Sequence, residues 1–321
     1  MKPKKIKYLY PLIKPYEVKK IKTSDNIYEL HVELFGNPDG IPVIFIHGGP
    51  GGGTSKYAHC FFDPKYYKIV TLDQRGCGKT VPQMSLVNNT SQHLVEDLEL
   101  VRKTLNIDKW ILFGGSWGST LSLLYAIKYP QNILTMVLRG VFLTRKIDID
   151  WLYQQGASFY KPFEFERYQN VIEPSKRHNM VHAYHELMHC GDPKIREKAL
   201  LEWAYFESAS ASVKKYTYPK ESEDKQKYFE IALIENHFFF NDSFMPENYI
   251  LDNSKAYEEI PTFIVHGEYD WVTLPEGAYL LSKKLKNCNL KITRRAGHSV
   301  FDTNNRKELV KIMDELKLKF S

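Results

Sequence analysis

Two short stretches of this chain carry residue types at a spacing that can do chemistry. Residues 185–189 read HELMH, with His185 and His189 one helical turn apart and Glu186 between them. That arrangement offers two metal-binding imidazoles and a general base, the makings of a zinc hydrolase. Residues 112–120 read LFGGSWGST and contain G-x-S-x-G at Gly114 to Gly118, a serine raised on a sharp turn between a strand and a helix. The two stretches imply different hydrolytic machinery, and their surroundings separate them.

A zinc site needs a third protein ligand, an open coordination position and partners that orient the ligands. HELMH runs at once into Cys190-Gly191-Asp192-Pro193, a helix stop signal, and no further histidine follows at the extended spacing. His178, His182, His185 and His189 are therefore expected along the exposed or half-buried side of a helix, with no metal role. The serine has better company. An unassisted hydroxyl is a poor nucleophile, so a base and a carboxylate that orients it must follow. On this kind of scaffold they come in the order serine, acid, histidine. Asp270 ends the strand-like TFIVHGEYD and His298 follows the next strand in RRAGHSV. His266 lies inside its strand and reads as packing, and Glu268 comes too early in its loop. The glycine run HGGPGGG at 47–53 follows another strand, where one backbone N–H of an oxyanion hole originates. Gly49 is the expected donor there, ahead of Gly48, and Trp117, the residue after the serine, is the second. A phosphate-binding loop is the rival reading of the glycines. It is rejected because G-K-[ST] is missing and DQRGCGKT at 73–80 lacks the Walker spacing.

These residues need a scaffold, and the chain supplies its rhythm. IPVIFIH (41–47), YKIVTLD (67–73), KWILFGG (109–115) and ILTMVLRG (133–140) read as buried strands. Between them, residues 91–107 place Leu94, Leu98, Val101 and Leu105 on one helical face, and another helix starts near Trp117. The rhythm breaks from 141 to about 257, a stretch of aromatics, Glu, Lys and His with helical periodicity. It resumes with TFIVHGEYD (262–270), helix PEGAYLLSKKL (275–285), strand NLKITRRAGH (289–298) and a last helix from about Arg306. The expectation is an α/β fold with a mostly parallel sheet flanked by helices, built from 1–140 and 258–321. Residues 141–257 would form an all-helical insertion over the sheet edge where open α/β folds bind ligands.

Composition excludes several classes. The chain has 321 residues, 43% of them hydrophobic and 14% aromatic, enough for a sizeable core and unlike a disordered chain. Its formal charge of +6 sits largely in the first twenty-two residues, read as a solvated basic stretch. No basic block interleaved with aromatics occurs elsewhere, which argues against nucleic acid. No stretch reaches the ~18–20 apolar residues of a membrane span. The four cysteines, Cys60, Cys77, Cys190 and Cys288, are widely spaced and read as free thiols of a cytoplasmic protein.

HGGPGGG, DQRGCGKT, GGSWGSTLSLLYA, VLRGVF, AGHS and two segments of the insertion together resemble the proline iminopeptidases (prolyl aminopeptidases). These are α/β-hydrolase-fold serine peptidases with a helical cap. The resemblance runs from about residue 10 to the C-terminus. It implies a triad of Ser116, Asp270 and His298, release of an unblocked N-terminal proline from peptide substrates, and no metal or organic cofactor. The family places one glutamate after a W-x-x-W-E segment and another in I-E-x-H-[YF]-F; here these are WAYFE (203–207) and IENHFFF (234–240). Glu207 and Glu235 are thereby the implied anchors of the free amine. Phe142 matches a position that walls the proline ring, or else packs in the core. Arg139 matches as a substrate contact or as a partner of the glutamates. Phe206 stands where the family usually has Trp, and Leu152 where some relatives carry an aromatic. A broader aminopeptidase or an esterase on the same scaffold is the alternative.

Overall fold

The structure, a computed structural model, describes residues 6–214, 216–220 and 225–320. The described elements, in chain order, begin with β1 (Glu17–Lys22), β2 (Glu29–Gly36), β3 (Ile41–Ile46) and β4 (Tyr67–Asp73). Then come α1 (Ser91–Thr104), β5 (Trp110–Ser116), α2 (Trp117–Lys128) and β6 (Ile133–Val141). A run of helices follows: α3 (Lys146–Tyr153), α4 (Pro162–Gln169), α5 (Met180–Met188), α6 (Pro193–Ala211), α7 (Gln226–Phe240) and α8 (Tyr249–Asp252). The chain closes with β7 (Thr262–Gly267), α9 (Pro275–Lys284), β8 (Cys288–Thr293) and α10 (Thr303–Phe320).

The strands form one sheet in the order β1-β2-β4-β3-β5-β6-β7-β8. β1 and β2 pair antiparallel, as do β2 and β4, and every other neighbour is parallel. Alternation along the central strands explains the two covered faces. Ile44 and Ile46 of β3 and Leu112 of β5 point into one core with Leu94, Leu98 and Val101 of α1. Val43, Ile111 and Phe113 point the other way, against Leu309, Met313 and Leu316 of α10. Successive side chains of a strand face opposite sides, so strands buried on both faces read as unbroken apolar runs.

The basic N-terminal stretch is solvated as expected over Glu17–Lys22 and is in addition an edge strand paired with β2. Only Ile21 of this strand is buried. The lysines stay in water while the backbone is paired, a pattern that also protects a sheet edge from pairing with another chain. Burial could not reveal such a strand.

Between β6 and β7 the described residues form helices and short turns, with no strand. α6 starts at Asp192, whose side chain accepts from Lys194 N (2.8 Å) and Ile195 N (3.3 Å), with Pro193 in the first turn; both are strong helix-start features. α7 is fastened to the loop after β4, where Glu230 Oε2 accepts from Gly78 N at 2.9 Å. Among the described residues, no helix is long and apolar enough to cross a membrane.

Candidate active site

The parallel strands deliver their C-terminal ends to one edge of the sheet. Ser116 sits at the end of β5 with φ 58° and ψ −128°, a left-handed conformation that a side-chain-bearing residue adopts only under constraint. Its neighbours explain why the motif demands glycine. A Cβ on Gly114 would lie 2.2 Å from the Gly118 carbonyl oxygen, and one on Gly118 would lie 2.1 Å from that of Ile46 in β3. The turn is held from behind as well. Ser119 Oγ donates to the Ser116 carbonyl (2.6 Å) and accepts from Phe142 N (3.1 Å), while Thr120 Oγ1 donates to the Phe142 carbonyl (2.7 Å). Trp117 opens α2, so its backbone N–H has no intrahelical partner.

Asp270 and His298 meet across the loops that follow β7 and β8. His298 Nδ1 lies 2.8 Å from Asp270 Oδ2 and 3.0 Å from Oδ1. The carboxylate also accepts from Val272 N (3.0 Å), Thr273 N (2.9 Å) and Thr273 Oγ1 (3.1 Å). Burial would raise its pKa, but the charge and hydrogen bond of His298, with His266 and Thr273 N, outweigh it and hold Asp270 well below the usual carboxylate range. Arg139 Nη1 stands 3.0 Å from His298 Nε2 and donates to the His298 carbonyl at 2.8 Å. A guanidinium only donates, so Nε2 is the acceptor and the proton resides on Nδ1. That is the tautomer a general base facing a serine requires. Burial first, then the Arg139 charge, lowers the His298 pKa below its ordinary value against the pull of Asp270.

Ser116 shares a small cavity with Gly49, Phe142, Leu152, Tyr153, Glu207 and Glu235, among others. Glu235 on α7 is 2% exposed, and its Oε2 accepts from Trp203 Nε1 (2.9 Å) and Tyr153 OH (3.2 Å). The Tyr153 ring stacks on Trp203 with centroids 4.1 Å apart. Phe142 meets Phe239 edge to face at 5.8 Å. Burial, then the like charge of Glu207, pushes the Glu235 carboxyl well above its ordinary range despite those two donors. Burial also raises Glu207, opposed by the charge of Arg139. Among the described residues, neither glutamate forms an ion pair.

The expected residues thus gather into two groups. Ser116, Gly49, Phe142, Glu207 and Glu235 line one cavity, and Asp270 with His298 forms a hydrogen-bonded pair whose neighbours Val272 and Thr273 also line it. Of Arg139's two possible roles, neither describes its closest contact: the guanidinium rests on His298 and acts on Glu207 only through its field. Phe206 packs on Tyr168 at 4.9 Å inside the helical layer, whereas Leu152 does line the cavity. Sequence reasoning missed Tyr153, Trp203 and Thr273. Trp203 stands four residues before Glu207 on α6, and that spacing, which puts both on one helix face, was the available signal. Thr273, three residues after Asp270, fits the short local turn that aspartate side chains favour.

HELMH covers the last four residues of α5 and its C-cap, His189. His185 Nδ1 bonds to Asn236 Oδ1 at 2.9 Å and its ring stacks on Phe240 at 3.7 Å. His189 Nδ1 reaches the His185 carbonyl at 2.8 Å, and the exposed Glu186 pairs with Lys176 at 2.5 Å. One ring nitrogen of each histidine is thus taken up by a contact of helix packing. Among the described residues, no three His, Cys, Asp or Glu side chains gather in a metal-binding set.

Comparisons with known proteins agree with this architecture. A family model described as alpha/beta hydrolase fold matches residues 41–305. A proline iminopeptidase of Arabidopsis thaliana is 40% identical over 312 residues, covering 96% of this chain and 82% of that protein. One from Xylella fastidiosa (strain 9a5c) is 40% identical over 304 residues, covering 94% and 97%. Among solved structures, an esterase from Rhodococcus superposes with TM-score 0.61 at 15% identity, covering 96% of this chain and 100% of that one. An esterase from Exiguobacterium antarcticum gives TM-score 0.59 at 18% identity, covering 94% and 100%. At such identity the solved structures establish the fold alone. The curated relatives go further: this chain is a hydrolase and belongs to the proline iminopeptidase family of α/β hydrolases.

Proposed function

We propose that the protein is a serine exopeptidase that releases an unblocked N-terminal proline from peptides. The observation that carries this reading is the one cavity lined by Ser116 and Gly49 together with the buried Glu235 and the half-buried Glu207. The substrate's cationic amine sits between Glu207 and Glu235, and Phe142 walls the ring. Residues 141–257 act as a cap that ends the pocket, so an internal peptide bond has no room for the chain preceding it. Coulomb attraction is weakly screened in such a site, which gives the amine its grip.

With the amine held, the proline carbonyl lies against Ser116. The serine oxygen attacks that carbon, and His298 Nε2 takes the hydroxyl proton in place of the hydrogen bond from Arg139. Asp270 holds the ring and stabilises the imidazolium. The negative oxygen of the tetrahedral intermediate is met by the N–H groups of Gly49 and Trp117. Collapse expels the shortened peptide, whose amine receives the proton from His298. Water then attacks the acyl-enzyme with the same base and frees proline.

A small panel of p-nitroanilides tests the proposal. Proline anilide is expected to turn over faster than the alanine and leucine anilides, and N-acetylproline anilide not at all. Ser116→Ala should fold and lose at least ~10⁴-fold in kcat. Full activity in that variant, or equal turnover of the acetylated substrate, contradicts it. A broader aminopeptidase is the reading that survives if all three free-amine anilides react alike.

A further inference from the structure

The mechanism leaves unexplained a buried amide just below the serine. Gln74, in the loop after β4, is 3% exposed, and both ends of its side chain are engaged. Nε2 donates to the His47 carbonyl at 2.9 Å, and Oε1 accepts from Trp117 Nε1 at 3.1 Å. The amide orientation is forced, because an indole N–H only donates and a carbonyl only accepts. Its backbone N–H also donates to His47 Nε2 at 3.1 Å. The His47 ring proton therefore lies on Nδ1, which donates to the Gly48 carbonyl at 2.8 Å. The same carbonyl accepts from Gly52 N at 3.1 Å.

These contacts form a chain with a geometric consequence. In a trans peptide the carbonyl and the following N–H point in opposite directions. Tying the Gly48 carbonyl to His47 on one side therefore aims the Gly49 N–H to the other. Through His47, Gln74 sets that peptide plane; through the indole, it holds the residue whose backbone supplies the second donor. We propose that Gln74 is the positioning residue of the oxyanion hole, fixing both N–H donors relative to Ser116 before substrate arrives. The inference rests on the serine-peptidase reading above. A polar core residue that merely satisfies its own hydrogen bonds would contribute to folding alone. A residue that aims both donors contributes when charge develops on the carbonyl oxygen, since that charge needs donors already in place.

Gln74→Met removes both side-chain contacts at similar volume. With proline p-nitroanilide, kcat is expected to fall about ten- to hundredfold with KM within about twofold of wild type. The proline boronic acid analogue mimics the tetrahedral intermediate: the serine oxygen gives an electron pair to boron and its proton goes to His298. Its affinity should fall by the same factor as kcat/KM. Inhibition by prolinol, which needs only the amine pocket, should be unchanged. A kcat within about twofold of wild type overturns the inference, as does an equal weakening of prolinol and boronate. If the variant does not fold, Trp117→Phe removes only the indole contact and is expected to lower kcat about three- to tenfold with prolinol inhibition intact; an unchanged kcat overturns the inference. The underlying reading fails separately, if wild type releases no proline or Ser116→Ala remains active.

Discussion

Asp270 and Glu235 are both deeply buried carboxyls a short way from the same serine, and their surroundings push them in opposite directions. Asp270 has Val272 N, Thr273 N, Thr273 Oγ1 and His298 Nδ1 around its two oxygens, and stays ionised. Among the described residues, Glu235 has only Trp203 Nε1 and Tyr153 OH, with Glu207 as a like-charged neighbour. The first site is built around donors that are always present, those of its own turn and the imidazole it orients. The second is left short of positive charge, as expected of a site whose cation arrives with the substrate. Solvation thus assigns different tasks to the same functional group.

That contrast breaks most visibly through the glutamates. Glu207→Gln and Glu235→Gln are each expected to lower kcat/KM for proline p-nitroanilide by on the order of 100-fold or more, because a buried charge partner is lost. Hydrolysis of p-nitrophenyl acetate, which carries no amine, should change by less than about threefold. Equal losses on both substrates would remove the anchoring role.

A smaller effect of opposite sign is expected in stability. Glu235 has its pKa raised in the folded state, so the folded protein holds a proton that the unfolded chain releases above pH ~4.3. Stability falls as pH rises through that window, until the folded carboxyl itself ionises. Glu235→Gln removes this cost and keeps an acceptor for Trp203 and Tyr153. At pH 7 and without ligand the variant should gain ~1 kcal/mol in denaturant unfolding. A loss of stability would mean that the empty pocket is not strained by its charges.

The smallest expected effect is none. His185 and His189 serve helix packing, so dialysis against a chelator should leave proline release unchanged. Activity lost in chelator and restored by zinc would contradict this.

The serine turn and the Asp270–His298 pair were legible in the sequence because their signals are local. G-x-S-x-G between an apolar strand and a helix, and the residues following β7 and β8, are settled by runs of a few residues. The cap pocket was legible only through resemblance. On sequence alone Glu207 and Glu235 are helix glutamates, and their burial is decided by packing between α6, α7 and α3, far apart in the chain. The contact of Arg139 with His298 spans 159 positions and leaves no periodic trace. Gln74 was read only as part of a glycine-containing loop, since its two partners lie on β3's following loop and on α2. β1 escaped because its exposed lysines mask a paired backbone.

The most direct test of the contrast is a pair of pH profiles on the wild-type enzyme. His298 titrates below its ordinary value, and the glutamates above theirs. The acid limb of kcat/KM for p-nitrophenyl acetate should follow His298 alone. For proline p-nitroanilide it should lie at higher pH, because the amine is held only once the glutamates ionise. Two acid limbs that coincide would contradict the account.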